Sequence, residues 1–501
     1  MSFSPASASL KLILAASAAL AVWLGWRSLG WPLIHDAPLM HYIAWLISEG
    51  AVPYRDAFDM NLPGVYLIHL AVLKLAGPGG LAWRLFDLAW LGITCGLLFV
   101  YCRPASDGWT AATAAVVFAL YHLSGGAWHV GQRDFLLCPF LMIGALGVVR
   151  SLERGSAFGP LAAAGLALGA GMMVKPQAGV YWIACAFVAA WGAARQGHTA
   201  ATRASIVVAA GLAAPALVLG WLALRGGFAP FLAILTGYVV PLYSHVGRVR
   251  IWEALSWYPY ELPLSALWAI FLVLALPGTA PAGGGARKAL ALLGVAYGWL
   301  HFQLQGKGWE YHLYPLALFL ATLIPFAVSS APLAGSWRSL VVWRRRAALV
   351  VLAALVVALG AKGADAMHID WIPLKERRVA AITRALRALV PPGGTVQVMD
   401  TTEGGIHALF NLRLHEPTRF IYDFHFFHDE TDPRIRALQA EFVAGLDARP
   451  PAAIVVLKES WNRPGYDRLR DVPGLMALLD RAYALAVTGD DYLIYAKRAD
   501  S

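Results

Sequence analysis

Charge is what this chain of 501 residues has least of: Asp, Glu, Lys and Arg together make up 14%, against roughly 25% in a typical soluble domain. With 59% hydrophobic residues and a mean hydropathy of +0.58, that scarcity excludes a soluble enzyme or a secreted module of this size. Cysteine is scarce as well. Cys95, Cys102, Cys138 and Cys185 lie in or beside apolar segments with no CxxC or Cys/His spacing, so neither a zinc site nor a disulfide framework is indicated. No Gly-rich nucleotide-binding fingerprint is present, and no repeat of 20 to 50 residues or inverted hydropathy symmetry argues for a repeat-built transporter. The net charge of +10 is read as loop charge facing anionic lipid, not as a nucleic-acid footprint.

What the chain does have is apolar blocks of near-spanning length. They run over 10–29, 83–101, 109–123, 135–149, 160–174, 178–194, 206–224, 262–276, 289–302, 314–328 and 347–361, and a membrane-spanning helix needs about 20 residues. The expected fold is a polytopic α-helical membrane protein with about 11 transmembrane helices. The first block has no convincing cleavage site after it and is expected to be retained. Two external loops are expected, 31–82 and 225–261. In the first, 38–46 reads as a short amphipathic helix and 62–76 as an interfacial one. The aromatic-rich second loop suits either a lid or an ordinary interfacial connector. The membrane module ends near residue 363. From 364 to 501 charged helical stretches alternate with β-rich runs, reading as a soluble α/β domain with strands at 395–399 and 453–457 and a hairpin within 483–496.

Loop charge suggests orientation. One side carries Arg103, Arg150, Arg154, Arg195, Arg203, Arg287, Lys288, Arg338 and Arg344 to Arg346 against only Asp107 and Glu153, which is expected of the cytoplasmic face. The N-terminus then lies in the cytoplasm and the C-terminal domain outside it, in a multi-pass plasma (inner) membrane protein. The opposite side gathers both signs at helix ends, the pattern of a site.

Asp36 stands at the outer end of the first helix, between an apolar wall and water. Partial desolvation there suits a general base, and capping of the helix that follows is the other role open to it. Arg55, Asp56 and Asp59 lie in the same loop, where they can bind sugar hydroxyls or pair locally. Arg84, the Arg133-Asp134 pair, Lys175, Lys307, Tyr311 and His312 fall at one depth on that side. A lipid phosphate at this depth needs such cations, although any one of them alone can be a snorkelling anchor. His35, Asp36 and His41 do not converge as three metal ligands on one helical face; no cofactor is expected, and dependence on a divalent metal is left open.

The run Pro53-Tyr54-Arg55-Asp56, preceded by Asp36 and followed by Asp59 and Pro63-Gly64, resembles the first external loop of the C-type membrane glycosyltransferases. Within them it is similar to the protein mannosyltransferase and aminoarabinose transferase superfamily. Arg84-Leu85, Arg133-Asp134, Lys175-Pro176 and Tyr311-His312-Leu313-Tyr314-Pro315 follow in similar order. The resemblance covers most of residues 1–360. It implies an enzyme that takes a sugar from a polyprenyl-phosphate donor at the outer face of the membrane and gives it, with inversion, to an acceptor hydroxyl on a glycan, lipid or protein. Asp36 would be the catalytic base with Asp59 assisting, and Arg84, Lys175 and Lys307, with Arg133 and His312, would face the departing phosphate. Two departures stand out: Ala37 follows Asp36 where the family often has Glu, and Asn61-Leu62-Pro63 replaces Lys-Pro-Pro. A lipid-linked sugar flippase or transporter and a non-catalytic scaffold are the rival readings. A flippase requires ionisable residues along a path through the bilayer, and the cytoplasmic halves of the helices have few.

Overall fold

The computed structural model describes residues 5–155, 158–278, 284–329, 338–369, 371–461 and 463–499. Helices come first in the chain: α1 (Pro5–Arg27), α2 (Asp36–Ser48), α3 (Pro63–Ala76), α4 (Gly80–Cys102), α5 (Gly108–Ser124), α6 (Arg133–Arg154), α7 (Phe158–Val174), α8 (Ala178–Arg195) and α9 (Ala200–Leu224). Then follow α10 (Phe228–Ile234), α11 (Ile251–Trp257), α12 (Glu261–Ala275), α13 (Gly285–Gln305), α14 (Tyr314–Thr322), α15 (Ile324–Val328), α16 (Arg338–Ala366) and α17 (Trp371–Leu389). The remainder mixes β1 (Val396–Met399), α18 (Gly405–Leu412), α19 (Pro433–Ala448), β2 (Ala453–Leu457), α20 (Leu475–Ala482), β3 (Tyr483–Thr488) and β4 (Tyr492–Lys497).

Among the described residues, seven helical segments are long and apolar enough to cross a membrane, or eight if α11 and α12, bent by 119° at their junction, form one broken span. The expected eleven is therefore not reached on length and composition. The three remaining positions do hold helices. However, α5 and α7 have 17 residues each, below a full perpendicular span, and α13 dilutes its apolar surface with Arg287, Lys288, His301, Gln303 and Gln305.

The chain divides into two compact units. The first comprises Met1–Trp31, Gly80–Val218 and Val249–His368. Its core is a continuous apolar cluster including Phe118, Leu141, Leu168, Tyr181, Phe271, Phe319 and Leu355. Small residues let its helices close up, as is common between membrane helices. A Cβ on Gly169 of α7 would meet the Gly211 carbonyl oxygen of α9 at 2.0 Å, so no larger residue fits that crossing.

The second unit comprises Pro32–Gly79, Leu219–Arg248 and Ile369–Ser501. Its sheet has the order β1-β2-β4-β3, with β1 and β2 parallel and the other pairs antiparallel. The two parallel strands are buried along their whole length, as apolar runs in a covered sheet should be. Strands and hairpin fall where the sequence places them. The segment expected to be an amphipathic helix is instead α2, buried continuously from Ala37 to Leu46. It is covered by α3 and α18, so no face is left to be polar. The loop is tied to the sheet domain by long-range bonds: Tyr42 Oη donates to the Leu414 carbonyl at 3.0 Å and the Phe58 amide to the Arg419 carbonyl at 2.7 Å.

Candidate active site

In the second unit Asp36 is the first helical residue of α2, and His35 precedes it at φ +52°. Asp36 is thus in the first turn, not the capping position, and sits where the helix dipole favours a carboxylate. A non-glycine residue at positive φ stores strain that its surroundings must hold, and the ring of His35 rests on Trp371 at 4.8 Å between centroids. Asp36 itself is half-buried.

Asp59 has a different environment. Its Oδ1 accepts from the Met60 amide (2.6 Å), Asn61 Nδ2 (2.9 Å) and Tyr422 Oη (2.6 Å), and its Oδ2 from Tyr66 Oη (2.8 Å). A carboxylate offers about four lone-pair sites, and with Asn61 Nδ2 also 3.2 Å from Oδ2 these partners crowd both oxygens. The geometry suits a clasp between the first loop and the sheet domain. Arg55 and Asp56 form a bidentate pair at 2.9 and 2.8 Å, and the guanidinium holds the Asp56 carboxyl below its ordinary range. These two groups satisfy each other.

In the first unit two buried polar clusters lie at one end of the helices, while Arg203, Arg287 and Arg344 are buried toward the other. The first runs from Arg84. Its Nε donates to Ser28 Oγ at 2.9 Å, its Nη1 bonds Asp87, and its guanidinium lies 4.7 Å from the Trp31 ring centroid. Asp87 Oδ1 also accepts the Gly131 amide at 2.7 Å. Glycine is required there, because φ is +64° and a Cβ would meet Trp83 at 2.1 Å. The cluster continues through His122, Tyr314, His129, Glu310 and Lys362 to Glu261. Arg84 is therefore engaged inside the protein.

The second cluster centres on Asp134. Lys175 Nζ lies 3.1 Å from Asp134 Oδ2 and donates to Gln305 Oε1 at 3.1 Å. His301 Nε2 donates to Asp134 Oδ1 at 2.5 Å and Gln305 Nε2 at 2.8 Å. Thus Asp134 is an internal counter-ion that holds Lys175 in place. His312 is fully buried, with Tyr311 edge-on at 4.7 Å. Tyr311 in turn packs against Trp128. Lys307 is buried between Gly306 and Gly308, both at positive φ, and Arg133 opens α6 half-buried. Among the described residues no group of three or more His, Cys, Asp or Glu is arranged to hold a metal ion.

Sequence reasoning missed Asp87, His122, His129, His301, Gln305 and Lys362. Their signal was present: an ionisable residue inside an apolar helix is costly unless paired or functional, and Asp87, His122, His301 and Lys362 each sit in or at the edge of an apolar block.

Residues 62–221 match the family model for dolichyl-phosphate-mannose-protein mannosyltransferases. No curated protein matches the chain. Among solved structures, ArnT from Cupriavidus metallidurans bound to undecaprenyl phosphate is similar, with a TM-score of 0.60 at 15% identity over 96% of this chain and 97% of that one. The chain has the fold of the C-type membrane glycosyltransferases. The apo form of the same ArnT gives a TM-score of 0.60 at 14% identity, covering 97% of both chains. The Archaeoglobus fulgidus oligosaccharyltransferase gives 0.51 at 12% identity, over 99% of this chain and 74% of that one. The resemblance read from the first loop and the charged helix ends is borne out by this C-type fold and by the matching family model.

Proposed function

We propose that the chain is an inverting glycosyltransferase of the multi-pass membrane class, moving a sugar from a polyprenyl-phosphate donor to an acceptor hydroxyl at the extracytoplasmic face. The observation that carries this reading is a cavity of about 470 Å³ in the first unit, walled by Trp268, Leu272, Val295, Phe302, Leu316 and Leu320 with Glu261 among its few polar groups. A cavity this apolar suits a prenyl chain. The likeness to a protein solved with undecaprenyl phosphate supports the same donor class.

In this reading Asp36 takes the proton of the acceptor hydroxyl as that oxygen attacks the anomeric carbon, and the bond from sugar to phosphate breaks through an oxocarbenium-like state. Lys175, with Lys307 and Arg133, stabilises the charge developing on the departing phosphate. Arg84, bonded to Ser28 and Asp87, is given a positioning role through Asp87 in this reading. Asp59 likewise holds the loop and does not assist as a base. No cofactor is assigned to the reaction. The N-terminus is placed in the cytoplasm and the sheet domain outside it.

The test is transfer of labelled sugar from a panel of polyprenyl-phosphate sugars, using membranes matched for expression of wild type and Asp36→Asn. Removal of a general base is expected to lower transfer by about 10² to 10⁴-fold while donor binding persists. Undiminished transfer by Asp36→Asn would eliminate Asp36 as the base. Binding or movement of the lipid without any transfer by wild type would favour a flippase.

A further inference from the structure

We infer that the buried chain Asp87–His122–Tyr314–His129–Glu310 carries one proton more than its neutral side chains supply, and that Tyr314 relays this proton between His129 and His122. Four hydrogen bonds join the five groups: His122 Nε2 to Asp87 Oδ2 at 2.9 Å, His122 Nδ1 to Tyr314 Oη at 2.7 Å, His129 Nδ1 to Tyr314 Oη at 3.0 Å and His129 Nε2 to Glu310 Oε1 at 2.6 Å. Each link needs one hydrogen. A neutral imidazole carries one, a phenol one and an ionised carboxylate none. Two imidazoles and one phenol fill three of the four links, so without a further proton two lone pairs would face each other inside the protein.

Charge leads to the same number by a separate route. Arg84 bonds Asp87 at one end, and Lys362 donates to Glu310 at 2.7 Å and Glu261 at 2.6 Å at the other. Two cations against three carboxylates leave one uncompensated negative charge. All of these side chains are buried, from 0% exposed at Asp87 to 7% at Lys362, where such a charge is costly. One added proton removes it, and the unfilled link is what places that proton in the chain. The Asp134 cluster is an internal control. Tyr297 Oη donates to His301 Nδ1 at 3.3 Å and His301 Nε2 to Asp134, two links filled by one phenol and one neutral imidazole, while Gln305 Nε2, 3.2 Å from His301 Nε2, brings its own hydrogen to Asp134 at 2.8 Å. Lys175 and Asp134 cancel.

The added proton has two placements. With His129 as the imidazolium, its Nδ1–H donates to Tyr314 and the Tyr314 hydroxyl donates to His122 Nδ1. When the Nδ1–H bond of His129 breaks, its proton joins the Tyr314 oxygen, while the original phenolic proton leaves to form the Nδ1–H bond of His122. All four links remain filled and no other reactant is involved. The relay thus moves one positive charge from the Lys362 end of the cluster to the Arg84 end. Its readout requires no sugar, lipid or acceptor, so it stands or falls apart from the transfer reaction.

The experiment is ring-¹⁵N NMR of the full-length chain in lipid nanodiscs at neutral pH, with His122 and His129 assigned by single substitution. Wild type is expected to show one imidazolium shared between these two rings. In Glu310→Gln the carboxamide oxygen can still accept from Lys362 and its amide can donate to His129 Nε2. This supplies the missing hydrogen and removes one negative charge, so both rings should become neutral. Tyr314→Phe should abolish sharing between the rings. Two neutral rings in wild type would overturn the inference on their own, as would an imidazolium that survives Glu310→Gln. Sharing that persists in Tyr314→Phe would overturn the relay.

Discussion

The two buried clusters of the first unit stand at the same end of the helices and are built from the same residue types, yet they close differently. Around Asp134 one cation meets one carboxylate and a neutral histidine completes the bonding. Between Arg84 and Glu261, two cations meet three carboxylates, and neither hydrogens nor charges balance without an added proton. A buried ion pair is therefore not characterised by its nearest partner alone, because its protonation is set by the whole connected set of donors and acceptors. The smaller cluster presents a lysine of fixed charge, which suits an anionic ligand. The larger one can move charge internally while keeping its total constant.

The comparison breaks most visibly at Lys362. Lys362→Met leaves Glu261 and Glu310 facing each other without the lysine that bonds both, and loss of one partner of a buried ion pair costs about 3 to 5 kcal/mol. The expected outcome is loss of a monodisperse peak on size-exclusion chromatography in detergent. Recovery at low pH, where the carboxylates gain protons, would confirm that charge and not packing is the cause. A wild-type thermal midpoint for Lys362→Met would refute the charge accounting.

A sharper contrast comes from one amide substitution in each cluster. Asp134→Asn removes the carboxylate that Lys175 is paired with, whereas Glu310→Gln leaves its own cluster neutral and fully bonded. Asp134→Asn should therefore lower the thermal midpoint far more than Glu310→Gln does, by a margin equivalent to about 3 kcal/mol. Polyprenyl phosphate should restore part of the loss in Asp134→Asn by giving Lys175 a new anion. Equal midpoints for the two variants would mean that the clusters do not differ in the way their bonding indicates.

The sequence made the membrane class legible because hydropathy accumulates over whole helices. It also displayed Arg133-Asp134, Lys175-Pro176 and the Tyr311 to Pro315 run as local motifs, and the buried strands 395–399 and 453–457 as short apolar runs. It did not display the clusters, because each helix contributes only one or two members. His122 and Asp87 are 35 residues apart, His129 and Glu310 181, and His122 and Tyr314 192. Pairing over such separations is decided by packing and leaves no local periodicity. Asp59 illustrates the same limit. Its place in the loop pointed to chemistry, whereas Tyr422, 363 residues away, takes one of its lone pairs.

The mildest effect is expected at a third buried acid, in the second unit, which has neither a bonded lysine nor a relay. Asp400 accepts the amides of Glu403, Gly404 and Gly405 at 2.7, 3.0 and 2.7 Å. Burial, and then the neighbouring Glu403 carboxylate, raise its pKa to about 6, above the roughly 3.9 of an unfolded Asp. A folded-state value above the unfolded one means that the folded form binds the proton more tightly. This group's contribution to stability is therefore full below about pH 4 and is lost as pH rises from there through about 6. The loss is about 1.4 kcal/mol per unit of difference. The thermal midpoint of wild type should fall across that window relative to Asp400→Asn, whose amide does not titrate. Parallel profiles for the two proteins would show that the three amides hold Asp400 ionised in spite of its burial, making it electrostatically closer to Asp134 than to the Glu310 cluster.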